Sequence, residues 1–196
     1  MQFKYDNPIK SAARRMLIDA YRRITNRQTL PTNKTYWTLC NDQTYPNSEI
    51  NILSSDGFIR ESQFVGVDRE LEYILANKEK FNKSIWLHEE WDTAIDNPIF
   101  ASAGMVYFDS LNFAENKKAL DTITETMMRC PEDCVMGINL LLNDSRSRKR
   151  FSEQVALQSI RNKLPSRVWR RFDQYFPFSY CASKKSQLIT IMLYRA

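Results

Sequence analysis

Two short apolar runs separated by a helix-length amphipathic segment leave this chain few folds to adopt. Phe64, Val65, Gly66 and Val67 form a run that stops at Asp68. Residues 69–81 follow with apolar side chains at Leu71, Ile74 and Leu75; after a polar break at 82–84, Ile85, Trp86 and Leu87 lead to His88, Glu89 and Glu90. Length and period read as buried strand, amphipathic helix, buried strand, a β-α-β unit whose strands both end on carboxylates. In an open parallel sheet, ligands bind in the crevice outside the carboxyl ends of the strands. Asp68 is placed there to accept hydrogen bonds from ribose hydroxyls, and Glu90 to face an adenine amino group. The plainer alternative makes Asp68 the cap of the following helix.

The rest of the chain extends this unit. Residues 8–26 carry Ile9, Ala13, Met16, Leu17, Ala20, Tyr21 and Ile24 at helical spacing, with Pro8 suited to a first turn. Tyr36 to Cys40 reads as a first strand, and Ser48, Glu49 and Ile50 open a short helix ending near Asp56 and Gly57. Residues 91–95 make one helical turn, and residues 103–108 form a strand with Asp109 at its tip. A helix to about Met128 and a strand over 134–142 follow. Residues 146–163 read as a basic helix, and 175–182 with 188–194 as a hairpin. The expected architecture is a doubly wound α/β fold, a mostly parallel sheet that finishes antiparallel.

At 196 residues and 43% hydrophobic content, one domain over 1–196 with a substantial core is the simplest expectation. It divides into a basic helix and loop (1–34), a central core (35–145) and a basic helix with the terminal hairpin (146–196). No run reaches the ~20 apolar residues that span a bilayer, and residues 1–24 lack a signal-peptide core, so a cytoplasmic location without membrane contact is expected. Cys40, Cys130, Cys134 and Cys181 read as reduced thiols, and a single His completes no zinc set. Charge is segregated: residues 146–196 hold twelve Lys/Arg against Glu153 and Asp173, whereas residues 35–145 hold eight against nineteen acids. Basic ends around an acidic middle point to a polyanion, and nucleic acid is the expected partner. Arg14, Arg15, Arg146, Arg148, Lys149, Arg150, Arg170 and Arg171 are the candidate phosphate contacts. Ordinary solvated helix faces are the alternative, and a protein partner is also open.

The whole order resembles the class I S-adenosylmethionine-dependent methyltransferases, with their Rossmann-like seven-stranded sheet and antiparallel C-terminal hairpin. Val65-Gly66-Val67-Asp68-Arg69 looks like the family's second-strand motif, whose acid holds the cofactor ribose. Leu87-His88-Glu89-Glu90-Trp91 is similar to the third-strand motif, where an acid faces adenine and the next residue packs on the ring. Val106-Tyr107-Phe108-Asp109-Ser110 stands where the fourth motif joins cofactor to substrate. The resemblance implies S-adenosylmethionine as cofactor, held by Leu39, Cys40, Asn41, Ser48, Glu49, Asp68, Arg69, Glu90, Trp91 and Asp109. It implies Asp109 and Asn112 as the catalytic pair, with Phe113 or Tyr107 available to stack on an acceptor. One departure matters: the family's first motif is a glycine-rich turn, and Leu39-Cys40-Asn41-Asp42-Gln43-Thr44 contains no glycine. Asn41 is expected to substitute by tolerating left-handed geometry. Two readings follow: a methyltransferase acting on nucleic acid, or a non-catalytic protein on the same fold that binds nucleic acid or an enzyme acting on it.

Overall fold

The computed structural model describes residues 8–113, 117–144, 149–150, 152, 154, 158, 161–162, 165–172, 174–183 and 186–195. Five strands, β1 (Thr35–Leu39), β2 (Phe64–Asp68), β3 (Ile85–His88), β4 (Ala103–Phe113) and β5 (Cys134–Asp144), run parallel. β7 (Gln174–Ser183) and β8 (Ser186–Arg195) close the sheet as an antiparallel hairpin. The order is β3-β2-β1-β4-β5-β8-β7, and β6 (Lys149–Arg150), only two residues long, pairs antiparallel with the end of β5. This is the expected mixed sheet with its reversal at β1, where the chain leaves β3 at one edge and crosses to β4. Such a reversal opens a crevice at the carboxyl ends.

Helices cover both faces because the strands are apolar on both. The apolar stripe of α1 (Pro8–Thr25) packs Leu17, Ile18, Tyr21 and Ile24 with Ile50 and Leu53 of α2 (Glu49–Ser55) onto Tyr36, Phe64, Met105, Val135 and Met192. α4 (Trp91–Ala94) and α5 (Lys117–Arg129) bury Trp91, Ala94, Ile123 and Met127 against Trp37, Val65, Val106, Met136 and Ile191 on the other face. α3 (Leu71–Lys80) lies on the α2 side, where its Asn77 reaches the segment after β1. The strict alternation fixes the site: side chains two apart share a face, so Thr38, Asp68, Asp109, Asn139 and Thr190 all fall on the α1–α2 face.

Two differences from the sequence reading bear on the site. β4 does not stop at Asp109 but runs to Phe113, with a register shift between Asp109 and Asn112 against β5. The continuous apolar run ends at Phe108, yet backbone pairing with β5 carries the strand on past Asp109 and Ser110. Lys149 and Arg150 form a strand and not the opening of a helix, because the extended end of β5 offers Asn143 and Asp144 for pairing. Arg146 and Arg148 lie outside the described residues.

Gly66 is set by close approach: a Cβ there would meet the Trp86 ring at 2.5 Å and Cys40 Sγ at 2.6 Å. Gly66→Ala should therefore lower stability in urea unfolding by about 1–3 kcal/mol, the range for overpacking a dense core.

Candidate functional site

At the carboxyl edge, register places two acids on either side of the tip of β1. Thr38 pairs with Gly66 of β2 and with Tyr107 of β4. Asp68 and Asp109 each stand two residues further on, so they flank the position of Cys40, roughly 10 Å apart as second-neighbour strands. Asp68 is half-buried, and its Oδ1 accepts from the Glu70 N–H at 2.8 Å. That bond shapes the turn into α3, but the helix N-cap is Glu70, with no side-chain cap. Partial burial pushes the Asp68 carboxyl above its ordinary value, only partly offset by backbone N–H groups. A carboxylate short of donors at a strand tip gains from ligand hydroxyls.

Asp109 is held by a polar chain that crosses the sheet. Asn139 of β5 donates through Nδ2 to Asp109 Oδ1 at 2.8 Å, and Thr190 of β8 donates to Asn139 Oδ1 at 3.1 Å. Asn139 and Thr190 are fully buried, so their bonds fix the Asp109 rotamer at little exchange with water. The signal for Asn139 was one amide inside the apolar run of β5, where a polar residue needs a partner.

Behind these acids lies a buried ion pair. Glu49, 5% exposed, accepts from the Tyr36 hydroxyl at 2.6 Å and faces the Arg14 guanidinium at 3.7 Å. Arg14 also donates to Asn47 O at 2.8 Å and Tyr45 Oη at 2.9 Å. Burial pushes the Glu49 carboxyl up, with Arg14 and the Tyr36 hydroxyl working against that rise. Tyr36 is driven well above the usual phenol range by burial and by Glu49. Cys40 is 2% exposed, and burial together with the Asp68 and Glu49 carboxylates pushes its thiol well up. Such a thiol lines a wall and does not act as a nucleophile.

The segment between β1 and α2 has no glycine, and side chains set its path instead. Asn77 Oδ1 accepts from the Gln43 N–H at 2.7 Å, and Asn77 Nδ2 donates to Asn41 O at 3.0 Å. Gln43 Oε1 accepts from the Glu49 N–H at 3.0 Å and the Ile50 N–H at 3.5 Å, capping α2. Lys80 Nζ donates to Thr44 O, and Asp42 Oδ1 holds the Thr44 N–H at 2.7 Å. Asn41 does not adopt left-handed geometry; among the described non-glycine residues only Asn26 and Asp133 do.

The fold positions other sequence candidates differently. Trp91 is 4% exposed in the core on the α4–α5 face, its Nε1 donating to Thr126 Oγ1 at 2.9 Å, so it does not pack at the crevice. Its apolar size drew it into the larger cluster. Ser48 is fully buried, and its Oγ accepts from Asn51 Nδ2 at 2.9 Å. Glu49 likewise faces inward. Leu39 is half-buried against the α4–α5 core, while Arg69 and Glu90 are exposed at the edge beside Asp68. His88, in register with Asp68, bonds Arg69 O through Nε2 at 2.8 Å, tying the two strand tips together. Arg14 is committed to Glu49 and is not a surface cation. Arg171 donates to Met128 O and, at 3.4 Å, to Cys130 O, neutralising the carboxyl end of α5. Arg15 and Arg170 are exposed. Asn112 pairs in register with Leu140, three positions beyond Asp109.

No family model matches the chain, and no curated protein is similar to it in sequence. Solved structures share its fold. Geranyl diphosphate C-methyltransferase from Streptomyces coelicolor A3(2), in complex with Mg2+, geranyl diphosphate and S-adenosyl-L-homocysteine, superposes with a TM-score of 0.59 at 9% identity, covering 95% of this chain and 79% of that one. The plantazolicin methyltransferase BamL, bound to a triazolic desmethyl analogue and S-adenosylhomocysteine, gives 0.58 at 10% identity over 96% and 85%. A TehB-like S-adenosylmethionine-dependent methyltransferase from Corynebacterium glutamicum gives 0.50 at 12% identity over 97% and 100%. The fold is that of the class I methyltransferases. At these identities the likeness is one of fold, and the chemistry rests on this chain's own edge residues. No group of three or more His, Cys, Asp or Glu able to hold a metal occurs among the described residues, and no described helix is long and apolar enough to cross a membrane.

The Arg14–Glu49 pair yields a direct expectation. Arg14→Met leaves a buried carboxylate unpaired and should cost about 3–5 kcal/mol in urea unfolding. Adding Glu49→Gln should recover most of that loss, whereas a surface phosphate contact at Arg14 would leave stability unchanged.

Proposed function

We propose that this chain binds S-adenosylmethionine at the carboxyl edge of its sheet and transfers the methyl group to an acceptor positioned beside Asp109. The observation that carries this reading is the register: Asp68 and Asp109 flank the tip of β1 on one face of a sheet ordered β3-β2-β1-β4-β5-β8-β7. Asp68 is the ribose ligand, its Oδ1 steadied by Glu70. Glu90 and Arg69, exposed at the adjoining tip, border the adenine side. The residues fit the cofactor because a half-buried carboxylate whose charge is disfavoured gains from two hydroxyl donors.

When bound, the sulfonium cofactor supplies an already activated methyl group. The chain's own part is positioning. Asp109, held by Asn139, accepts a hydrogen bond from the attacking hydroxyl or amine and orients its lone pair for in-line displacement. The Asp109 carboxylate, or solvent, would take the nucleophile's proton as the new bond to the methyl group forms and the methyl–sulfur bond breaks. Asn112, further along β4, stands on the acceptor side.

For the acceptor, the basic ends of the chain favour a phosphate-bearing molecule, and nucleic acid is the form we propose. Twelve Lys/Arg against two acids over residues 146–196 support it, and so does the placement of Lys149 and Arg150 on β6, beyond the end of β4. Geranyl diphosphate, bound in one of the structural neighbours, also carries phosphate. A second reading, a non-catalytic protein on this fold, is favoured by one feature: the amide of Gln43 caps α2 where a glycine turn would leave backbone open to a cofactor.

Isothermal titration with S-adenosylhomocysteine separates the two. The enzyme reading expects binding heat from the wild type and a loss of about 1–3 kcal/mol in Asp68→Ala, the scale of a charge-assisted hydrogen bond; no heat from the wild type supports the second reading. For the acceptor, replacing Lys149 and Arg150 with Gln should flatten the log–log salt dependence of single-stranded nucleic-acid binding by about 1.4 units, at about 0.7 per phosphate contact. An unchanged slope would remove β6 from the interface.

A further inference from the structure

We propose that Gln43 is a direct cofactor ligand whose side-chain Nε2 donates to the carboxylate at the amino-acid end of S-adenosylmethionine, and that Asn77 positions it; this rests on the cofactor reading above. A cofactor with its ribose on Asp68 and its sulfonium facing Asp109 spans the tip of β1. Its amino-acid end then meets the segment 40–48. A glycine-rich turn would offer backbone N–H groups there. In this chain the N–H groups of Gln43 and Thr44 are already taken by Asn77 Oδ1 and Asp42 Oδ1, and those at the start of α2 by Gln43 Oε1.

Gln43 itself is 4% exposed, and one half of its amide is accounted for. Its Nε2 donates to no group among the described residues. The residue is buried, yet this nitrogen is not among the atoms sealed from solvent without a partner, so it is open to a ligand whose carboxylate supplies the acceptor. Asn77 explains how the amide is held. It is fully buried one turn after Ile74, on the face of α3 that packs inward, and it bridges Asn41 O and the Gln43 N–H across more than thirty residues of sequence. An asparagine in that place gives up hydration, and what its two bonds secure is the backbone on both sides of Asp42. The side-chain amide thus does for the cofactor what glycine backbone does elsewhere, with its orientation set by the cap it makes on α2.

Two ligands and two variants test this. S-Adenosylhomocysteine carries the amino-acid end, and 5′-methylthioadenosine lacks it. Gln43→Glu retains an oxygen to cap the Glu49 and Ile50 N–H groups but replaces the donor with a second acceptor. It should weaken S-adenosylhomocysteine by about tenfold or more, the scale of one lost bond to a charged group, while 5′-methylthioadenosine affinity, which requires the folded nucleoside site, stays near wild type. Asn77→Asp, which keeps the acceptor for the Gln43 N–H and loses the donor to Asn41, should show a smaller loss of the same selectivity. Equal weakening of both ligands, or unchanged S-adenosylhomocysteine affinity in Gln43→Glu, overturns the assignment and leaves Gln43 a helix cap. Wild-type protein that binds neither ligand overturns the cofactor reading itself, and this inference with it.

Discussion

A carboxylate sealed inside the protein sets the geometry of the crevice. Glu49 sits at the first residue of α2, and its two oxygens are met by the Tyr36 hydroxyl from β1 and the Arg14 guanidinium from α1. An unpaired charge in that position would be costly enough to drive the helix away, so all three elements hold one arrangement or none. Because Arg14 also reaches Tyr45 and Asn47, the same interaction fixes the far end of the segment that leads from β1 to α2. The near end is fixed from α3 by Asn77. The crevice is therefore bounded by a segment clamped from two sides, with Asp68 and Asp109 on the strands that flank it.

Clamping is the chain's answer to having no glycine there. A glycine turn is permissive, and its backbone can approach a ligand closely at an entropic cost. Here the N–H groups of Gln43, Thr44, Glu49 and Ile50 are bonded to the protein's own side chains, and on the proposed reading a ligand meets side chains instead: the half-buried Asp68, the tethered Asp109 and the amide of Gln43. Preorganisation of this kind suits a reaction in which the methyl donor is already activated and the protein's task is alignment. The polar chain Thr190–Asn139–Asp109 serves the same end, since a carboxylate held from behind by a buried amide presents its other oxygen in one direction.

The sheet was legible because its signals are periodic. Val65 and Val67 facing one way, Phe64 and Gly66 the other, and the tips at Asp68 and His88, all follow from an apolar run of the right length ended by charge. Side-chain direction at the ends was less so. Trp91 follows Glu90 in a motif that suggested ring packing, but a tryptophan beside a large apolar cluster is buried there, with Thr126 satisfying its N–H. Arg14 read as a surface cation because charge alone cannot reveal that a buried acid lies thirty-five residues away. Gln43, Asn77 and Asn139 do not stand out in the sequence, since amides carry no charge pattern. Their one sequence signal is a polar residue where the helix or strand period calls for an apolar one, as with Asn77 after Ile74. Lys149 and Arg150 carry no β signature in the sequence, and only the side of β5 left open beyond the end of β4 explains their pairing.

A crystal structure with S-adenosylhomocysteine bound is the most direct test of the central claim, that the crevice flanked by Asp68 and Asp109 is a nucleoside site. The account predicts the ribose hydroxyls within hydrogen-bond range of the Asp68 carboxylate, roughly 2.6–3.2 Å, with the thioether sulfur lying over the tip of β1 toward Asp109. A nucleoside bound elsewhere on the chain, with Asp68 still turned only to Glu70, would contradict it.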